Sequence, residues 1–263
     1  MAGLAGPCSA LEGREILRRA EKVRNPELDY AVDFRLVVLD PSAVWKERTA
    51  LYTMIARGKD HSLVVMREPE QFHPGTLLIA EGLYWLLLPR SERPFQLSPR
   101  HVLNGDISNG DLARGNLLTH YEVRLDGEEQ VRGEDCYRLE LARTRNLGLY
   151  RRIRAWITRE GFRPKQFEYY GETGEPLKLA QYEDYRQSAI GLRPMRIEVA
   201  NRVRPTERSV LTFDNLRKID ASGIAFTREA LASVRDAFEA RRGPDGAQAR
   251  LEDVLPLLGA ARP

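Results

Sequence analysis

The chain has 263 residues, of which 42% are hydrophobic, enough for a substantial core in one large domain or two small ones. Its 41 basic residues are scattered among 38 acidic ones, for a formal net charge of +3, so composition argues against a nucleic-acid partner. The two cysteines, Cys8 and Cys136, have no paired spacing, which argues against a disulfide framework or a cysteine metal site.

The first residues, MAGLAGPCSALEG, lack the basic and apolar regions of a signal peptide. They are similar to the small-residue tail that remains when a signal peptide is removed or truncated. We predict that residues 1–10 form a disordered segment. The apolar run GLYWLLLP stops at Pro89 and is shorter than the roughly 18 residues that a membrane helix needs.

Two segments have the spacing of amphipathic helices. In residues 11–24, apolar side chains recur with a period near 3.6, and Asn25-Pro26 ends the pattern. In residues 226–242, Thr227 is the predicted N-cap. The Ala/Gly/Pro-rich residues 243–263 are expected to be a loose C-terminal tail. The predicted domain therefore covers residues 11–242.

Between these helices the period changes to two. Tyr30 to Val38 alternate apolar with mostly polar side chains, and similar segments follow at intervals of roughly a dozen residues. They are residues 44–56, 63–66, 76–80, 83–88, 117–125, 137–141, 153–157, 164–170, 177–185, 195–203 and 209–216. Because no βαβ alternation occurs, we predict a mainly β (α+β) fold with a single large curved antiparallel sheet of about eleven strands.

A sheet of this size coils on itself and forms a trough. The two helices could lie in it, but at about 21 Å each they are short against a sheet about 48 Å wide. Part of the apolar inner face would then remain as a pocket. The alternative is that the sheet closes and side chains fill its interior. Segments 44–56 and 83–88 are apolar on both faces and require cover on both sides.

The sequence predicts no catalytic, cofactor or metal site. It lacks the nucleophile-elbow, phosphate-loop and zinc motifs. The four histidines lie apart, and residues 104–111, NGDISNGD, do not fit a calcium loop because Asp111 occupies the position that requires glycine. The histidines are His61, His73, His101 and His120.

Several strings resemble one known family when taken together. GDISNGDLARGNLLTHYEVRLDGEEQVRGEDCYRLEL is followed by YRRIRAWITREGFRPKQFEYYGETGEPLK and by YEDY, and EILRRAEKVRNP and GTLL...LYWLLLP precede them. This pattern resembles the LolA-like outer-membrane lipoprotein-sorting proteins of Gram-negative bacteria, in particular the branch often encoded beside RND-type exporters. The resemblance runs from the first helix to about Phe226.

The resemblance implies an incomplete barrel with a helical lid and an apolar cavity for acyl chains. It implies a periplasmic, monomeric carrier for acylated lipoprotein or lipid cargo, with an inner-membrane exporter as a partner and transient membrane contact. Burying a 16-carbon chain would contribute on the order of 12 kcal/mol. Two other functions stay open: an interaction module of the exporter that carries nothing, and a lipid hydrolase.

The candidate cavity residues are taken from the alternating positions that we expect to point inward. For each of them the alternative is ordinary core packing. They are Phe34, Leu36, Tyr52, Met54, Leu86, Leu88, Tyr121, Val123 and Leu139.

Overall fold

A computed structural model describes residues 12–98, 100, 102–104, 107–108, 111, 117–144, 148–243 and 249–260. The predicted disordered segment 1–10 lies outside these residues. The helices are α1 (Gly13–Arg24), α2 (Leu117–His120), α3 (Leu231–Ala240) and α4 (Leu251–Ala260). The strands are β1 (Tyr30–Leu39), β2 (Glu47–Arg57), β3 (His61–Glu68), β4 (Thr76–Ala80), β5 (Leu83–Leu87), β6 (Phe95–Leu97), β7 (Val102–Asn104), β8 (Ile107–Ser108), β9 (Tyr121–Val131), β10 (Glu134–Arg143), β11 (Arg152–Thr158), β12 (Pro164–Tyr170), β13 (Pro176–Ser188), β14 (Gly191–Asn201) and β15 (Arg208–Lys218).

Thirteen of these strands form one antiparallel sheet in the order β6-β5-β4-β3-β2-β1-β15-β14-β13-β12-β11-β10-β9. Within the described residues β6 and β9 are its two edges, so the sheet is open. The prediction of a single large antiparallel sheet is confirmed, and the observed count is thirteen rather than about eleven. Strand β6 has three residues, too few to give a readable alternation.

The sheet buries apolar side chains on both faces where it includes β1 to β5. Along β1, Tyr30, Val32 and Phe34 belong to one buried cluster, whereas Ala31 belongs to a second. Successive side chains of a strand point to opposite faces, so the two clusters lie on opposite faces of the sheet. We call the face that carries Phe34 the inner face and the face that carries Ala31 the outer face.

Helix α1 packs on the inner face. Its buried Ile16, Leu17 and Ala20 belong to the inner cluster, and it contacts β9 to β12 and also β14. A 12-residue helix that contacts five strands lies inside a curved sheet. Gly13 permits the close approach, because a Cβ at this position would lie 2.6 Å from the backbone nitrogen of Leu125 on β9.

The C-terminal segment covers the outer face instead of entering the trough. Leu231, Val234 and Phe238 of α3 pack in the outer cluster with residues 221–226 and with α4. The interpretation that both amphipathic helices lie in the trough is therefore wrong for the second one. The reason is that β2 to β5 present Ile55, Leu63 and other apolar side chains outward, and this surface needs cover.

Residues 251–260, expected to belong to a loose tail, form α4. Its Leu251, Val254 and Leu258 are buried in the outer cluster. The outer cluster therefore includes residues beyond the predicted domain end at 242. The predicted domain boundaries themselves stay a prediction.

Four predicted strand segments extend past the observed strands, and one of them is 83–88, because β5 ends at Leu87. Val44 precedes β2 in a turn, Leu117 lies in α2, and Val203 follows the end of β14. In each case the apolar pattern extends past the residues that pair in the sheet. Val44 and Val203 are exposed as a result.

Candidate functional site

A cavity of about 570 Å³ lies on the inner face of the sheet, and we call it the inner cavity. Its walls come from α1 and from strands on both halves of the sheet, including β1, β2, β11 and β13 to β15. The curvature that places α1 against distant strands also encloses this volume. Apolar side chains line much of it: Phe34, Met54, Ile153, Ile197, Val199 and Leu211.

Tyrosines form a second part of the wall. They are Tyr30, Tyr84, Tyr121, Tyr150, Tyr169 and Tyr182. Burial raises the pKa of Tyr84 to about 12 and holds the pKa of Tyr169 well above its usual value. These two hydroxyls are therefore protonated at neutral pH and can donate hydrogen bonds.

A charged group lies among these tyrosines. Lys178 Nζ is 2.5 Å from Asp111 Oδ2, and the Tyr150 hydroxyl donates to Asp111 Oδ1 at 2.7 Å. Lys178 Nζ also lies 5.0 Å from the ring centre of Tyr150 and 5.5 Å from that of Tyr169. The ion pair and the cation–π contacts offset the cost of placing this ammonium in the wall, where Lys178 is 8% exposed.

Arginines hold the C-terminal end of α1 beside the cavity. The Arg193 guanidinium donates to the backbone carbonyls of Val23 and Arg24 at 2.9 and 2.5 Å. Arg24 itself pairs with Glu21 at 2.7 Å. The last carbonyls of a helix have no partners within the helix, so Arg193 satisfies two of them and ties α1 to β14.

The structure brings three of the nine candidate residues to the cavity wall: Phe34, Met54 and Tyr121. Leu36, Tyr52 and Leu139 are buried in the inner cluster away from the wall, and Leu86 and Val123 pack against that cluster. Leu88 follows the end of β5 and is 37% exposed. Whether any of these residues contacts a ligand stays a prediction.

Sequence reasoning missed the polar part of the wall. Lys178 points to the same face of β13 as the buried Ala180 and Tyr182. A lysine at a position where the alternation favours an apolar residue is therefore a feature that the sequence alone could have marked as unusual. Asp111 and Tyr150 gave no such signal, because they lie 67 and 28 positions from Lys178 and only the fold brings them together.

The described residues contain no group of three or more His, Cys, Asp or Glu side chains arranged to hold a metal ion. Within the same residues, no helix combines the length and the apolar character needed to cross a membrane.

A protein-family model with the description uncharacterized protein matches residues 58–233, more than half of the chain. No curated protein sequence matches the chain. The similarity to solved structures is more extensive.

A LolA superfamily protein from Nitrosomonas europaea is 28% identical, with a TM-score of 0.73, over 80% of this chain and 95% of the other. A DUF1329 family protein from Desulfovibrio piger is 21% identical, with a TM-score of 0.73, over 83% and 97%. A putative outer membrane lipoprotein-sorting protein domain from Vibrio parahaemolyticus is 19% identical, with a TM-score of 0.72, over 83% and 97%. The last two similarities concern the fold alone.

Proposed function

The chain belongs to the LolA-like family, and from this premise we propose that it is a periplasmic carrier. It binds acyl chains of lipoproteins or lipids in the inner cavity and carries them toward the outer membrane. The observation that supports this proposal most directly is the cavity itself. Its volume of about 570 Å³ lies within the range of about 300–1,000 Å³ that is common for ligand sites.

The composition of the wall fits an acyl chain with a polar end. Apolar side chains such as Phe34, Val199 and Leu211 offer a surface for methylene groups, each of which contributes about 0.8 kcal/mol when it leaves water. The protonated hydroxyl of Tyr84 can donate to an ester or carboxyl oxygen. The Lys178–Asp111 pair lies in the same wall and marks a polar region.

Release of cargo requires that the cavity can open. Helix α1 contributes Arg24 to the wall and is tied to β14 through Arg193. Movement of α1 would widen the cavity at the cost of those hydrogen bonds. The inner-membrane exporter as loading partner belongs to this proposal, and it rests on the family resemblance alone.

The test is a binding measurement on delipidated protein with a fluorescent fatty acid and, separately, a triacylated peptide. We expect saturable binding that Val199→Trp weakens about tenfold, because the indole would occupy part of the volume that the acyl chain needs. Val199 lines the cavity from β14.

Val210→Trp is the matched control. Val210 lies on the adjacent β15, where its neighbour Leu211 lines the cavity, so the Val210 side chain points to the other face of the sheet. The control should bind the probe as the unmodified protein does. Absence of saturable binding to either probe would contradict the carrier and would favour the interaction module that carries nothing.

A further inference from the structure

Three apolar side chains are exposed on two turns of the sheet. Val44 is 93% exposed and Trp45 is 75% exposed in the turn between β1 and β2, and Val203 is 67% exposed in the turn between β14 and β15. Soluble domains bury most of their large apolar side chains, and a tryptophan exposed to this degree leaves most of its ring in water.

The two turns are neighbours. Strands β1 and β15 pair with each other, and Leu39 faces Arg208 at the end of the ladder. The Thr206 hydroxyl lies 3.4 Å from the Ser42 hydroxyl. Residues 40–46 and 202–207 therefore form one projection, which we call the apolar tip.

The exposed apolar residues are distributed unevenly over the molecule. The antiparallel order places the C-terminal ends of β1, β3, β5 and β14 at the same rim of the sheet. Among the described residues, eight large hydrophobic side chains are exposed, and six of them lie at this rim, either between strands or, for Phe95, at the first position of β6: Val44, Trp45, Phe72, Leu88, Phe95 and Val203. Leu28 and Leu83 lie at the opposite rim.

Cationic side chains surround the apolar tip. Lys46, Arg48 and Arg202 are exposed, and within the described part of the chain none of them forms an ion pair. Glu207 is buried and pairs with Arg204. Glu47 is an exposed acid beside Lys46, and the Asp40 carboxylate accepts hydrogen bonds from Ser42. Among the described residues at the tip, the charges without an ion pair are therefore three positive and two negative, a net charge of +1.

This combination fits a membrane surface. Tryptophan favours the boundary between lipid head groups and acyl chains, where its ring is apolar and its N–H stays hydrated. Lysine and arginine near the surface contribute about 1 kcal/mol each when the lipid is anionic. We propose that the apolar tip docks on a bilayer that contains anionic phospholipid and inserts Val44, Trp45 and Val203 into its interface.

The position of the tip relative to the inner cavity agrees with a role in lipid exchange. The backbone N–H of Arg202 donates to the carbonyl of Leu177 at 2.8 Å. The next residue, Lys178, lines the cavity. A bilayer bound at the tip would therefore contact the end of the molecule where β13 enters the cavity wall.

Intrinsic fluorescence of the full chain tests the proposal. Of the three tryptophans, Trp45 is exposed, Trp156 is buried, and Trp85 is partly buried with Arg228 over its ring. On mixing with vesicles of phosphatidylcholine and phosphatidylglycerol in equal parts, we expect emission to shift to shorter wavelength and the protein to sediment with the vesicles. Vesicles of phosphatidylcholine alone should bind less.

Variants separate the tip from the rest of the surface. We expect Trp45→Ser to abolish the spectral shift and weaken binding about tenfold, and Lys46→Gln to weaken it about fivefold. Leu83→Ser, an exposed apolar position at the opposite rim, should leave binding unchanged.

Two results would overturn the proposal. One is equal vesicle binding by the unmodified protein and Trp45→Ser. The other is a spectral shift that depends on protein concentration without vesicles and accompanies a dimeric mass, which would assign the tip to self-association. Acyl-chain binding in the cavity is a separate measurement, so the failure of either proposal can be told from the failure of the other.

Discussion

Lys178 illustrates what a single residue on the inner face requires. An ammonium at a position shared with Ala180 and Tyr182 would be costly among apolar side chains alone. Asp111 supplies the opposite charge at 2.5 Å, and the rings of Tyr150 and Tyr169 lie beside the ammonium. Local sequence could mark Lys178 as unusual, but it could not name its partners, because they come from other strands and loops.

Cys136 is a second residue whose behaviour follows from its surroundings. It lies on β10 and is 0% exposed, and its thiol donates to the carbonyl of Glu134 at 3.4 Å. Burial, together with the nearby Glu134 carboxylate, raises the pKa of this thiol to about 11. The thiol is therefore protonated at neutral pH, and the thiolate that reacts with disulfide reagents is scarce.

We predict that Cys136 does not react with a thiol reagent at pH 8 in the folded protein. The measurement uses a Cys8→Ser variant, so that Cys136 is the only cysteine of the chain. Denaturant should make one thiol per chain reactive at once. Rapid labelling without denaturant would contradict the buried position of this side chain.

Helix α1 is the element whose place depends most on close contact. It carries an apolar stripe that can be identified from the sequence. It also approaches β9 so closely that position 13 has room for the hydrogen of glycine but not for a Cβ. The stripe alone does not say which strands it meets. Those strands are set by the curvature of the sheet and by the hydrogen bonds from Arg193 to the last turn of the helix.

Gly13→Ala should lower the free energy of unfolding by about 1–3 kcal/mol, because the added methyl would overlap the backbone of Leu125 and Arg124. Helix propensity alone predicts that the substitution raises the free energy of unfolding, since alanine is favoured over glycine in a helix by about 1 kcal/mol. Chemical denaturation measures the change. Lys22→Ala, at an exposed position of the same helix, should alter stability by less than about 0.5 kcal/mol. A stabilising Gly13→Ala would show that α1 does not approach β9 this closely.

At the scale of the whole molecule, one sheet separates two apolar clusters with different roles. The inner cluster surrounds α1 and leaves the cavity, whereas the outer cluster is covered by α3 and α4. The matched family model ends at residue 233, so α4 lies beyond it. The strands that are apolar on both faces are therefore covered on both sides, by the inner cluster on one face and by α3 and α4 on the other.

Leu251→Ala in α4 should therefore lower stability by about 2–5 kcal/mol, because Leu251 is 2% exposed in the outer cluster. Its affinity for a fluorescent fatty acid should equal that of the unmodified protein, because no residue of α4 lines the cavity and α4 packs on the other face of the sheet. Thermal unfolding and a binding titration measure the two quantities. Asp253→Ala, an exposed position on the same helix, is the control, and weakened binding by a folded Leu251→Ala would contradict the separation of the two faces.

The sequence by itself determined the strands, the antiparallel class of the sheet and the stripes of both amphipathic helices. These features depend on local alternation and on turns, such as the one at residues 171–174, that neighbouring residues are enough to define. The Asp126-Gly127 pair, which also has the composition of a turn, lies instead inside β9, where the pairing with β10 shifts register. Only the tertiary structure decided which face each helix covers, that residues 251–260 pack against the sheet, and that Asp111 meets Lys178. Those outcomes depend on curvature and on contacts between residues far apart in the chain, which no local pattern encodes.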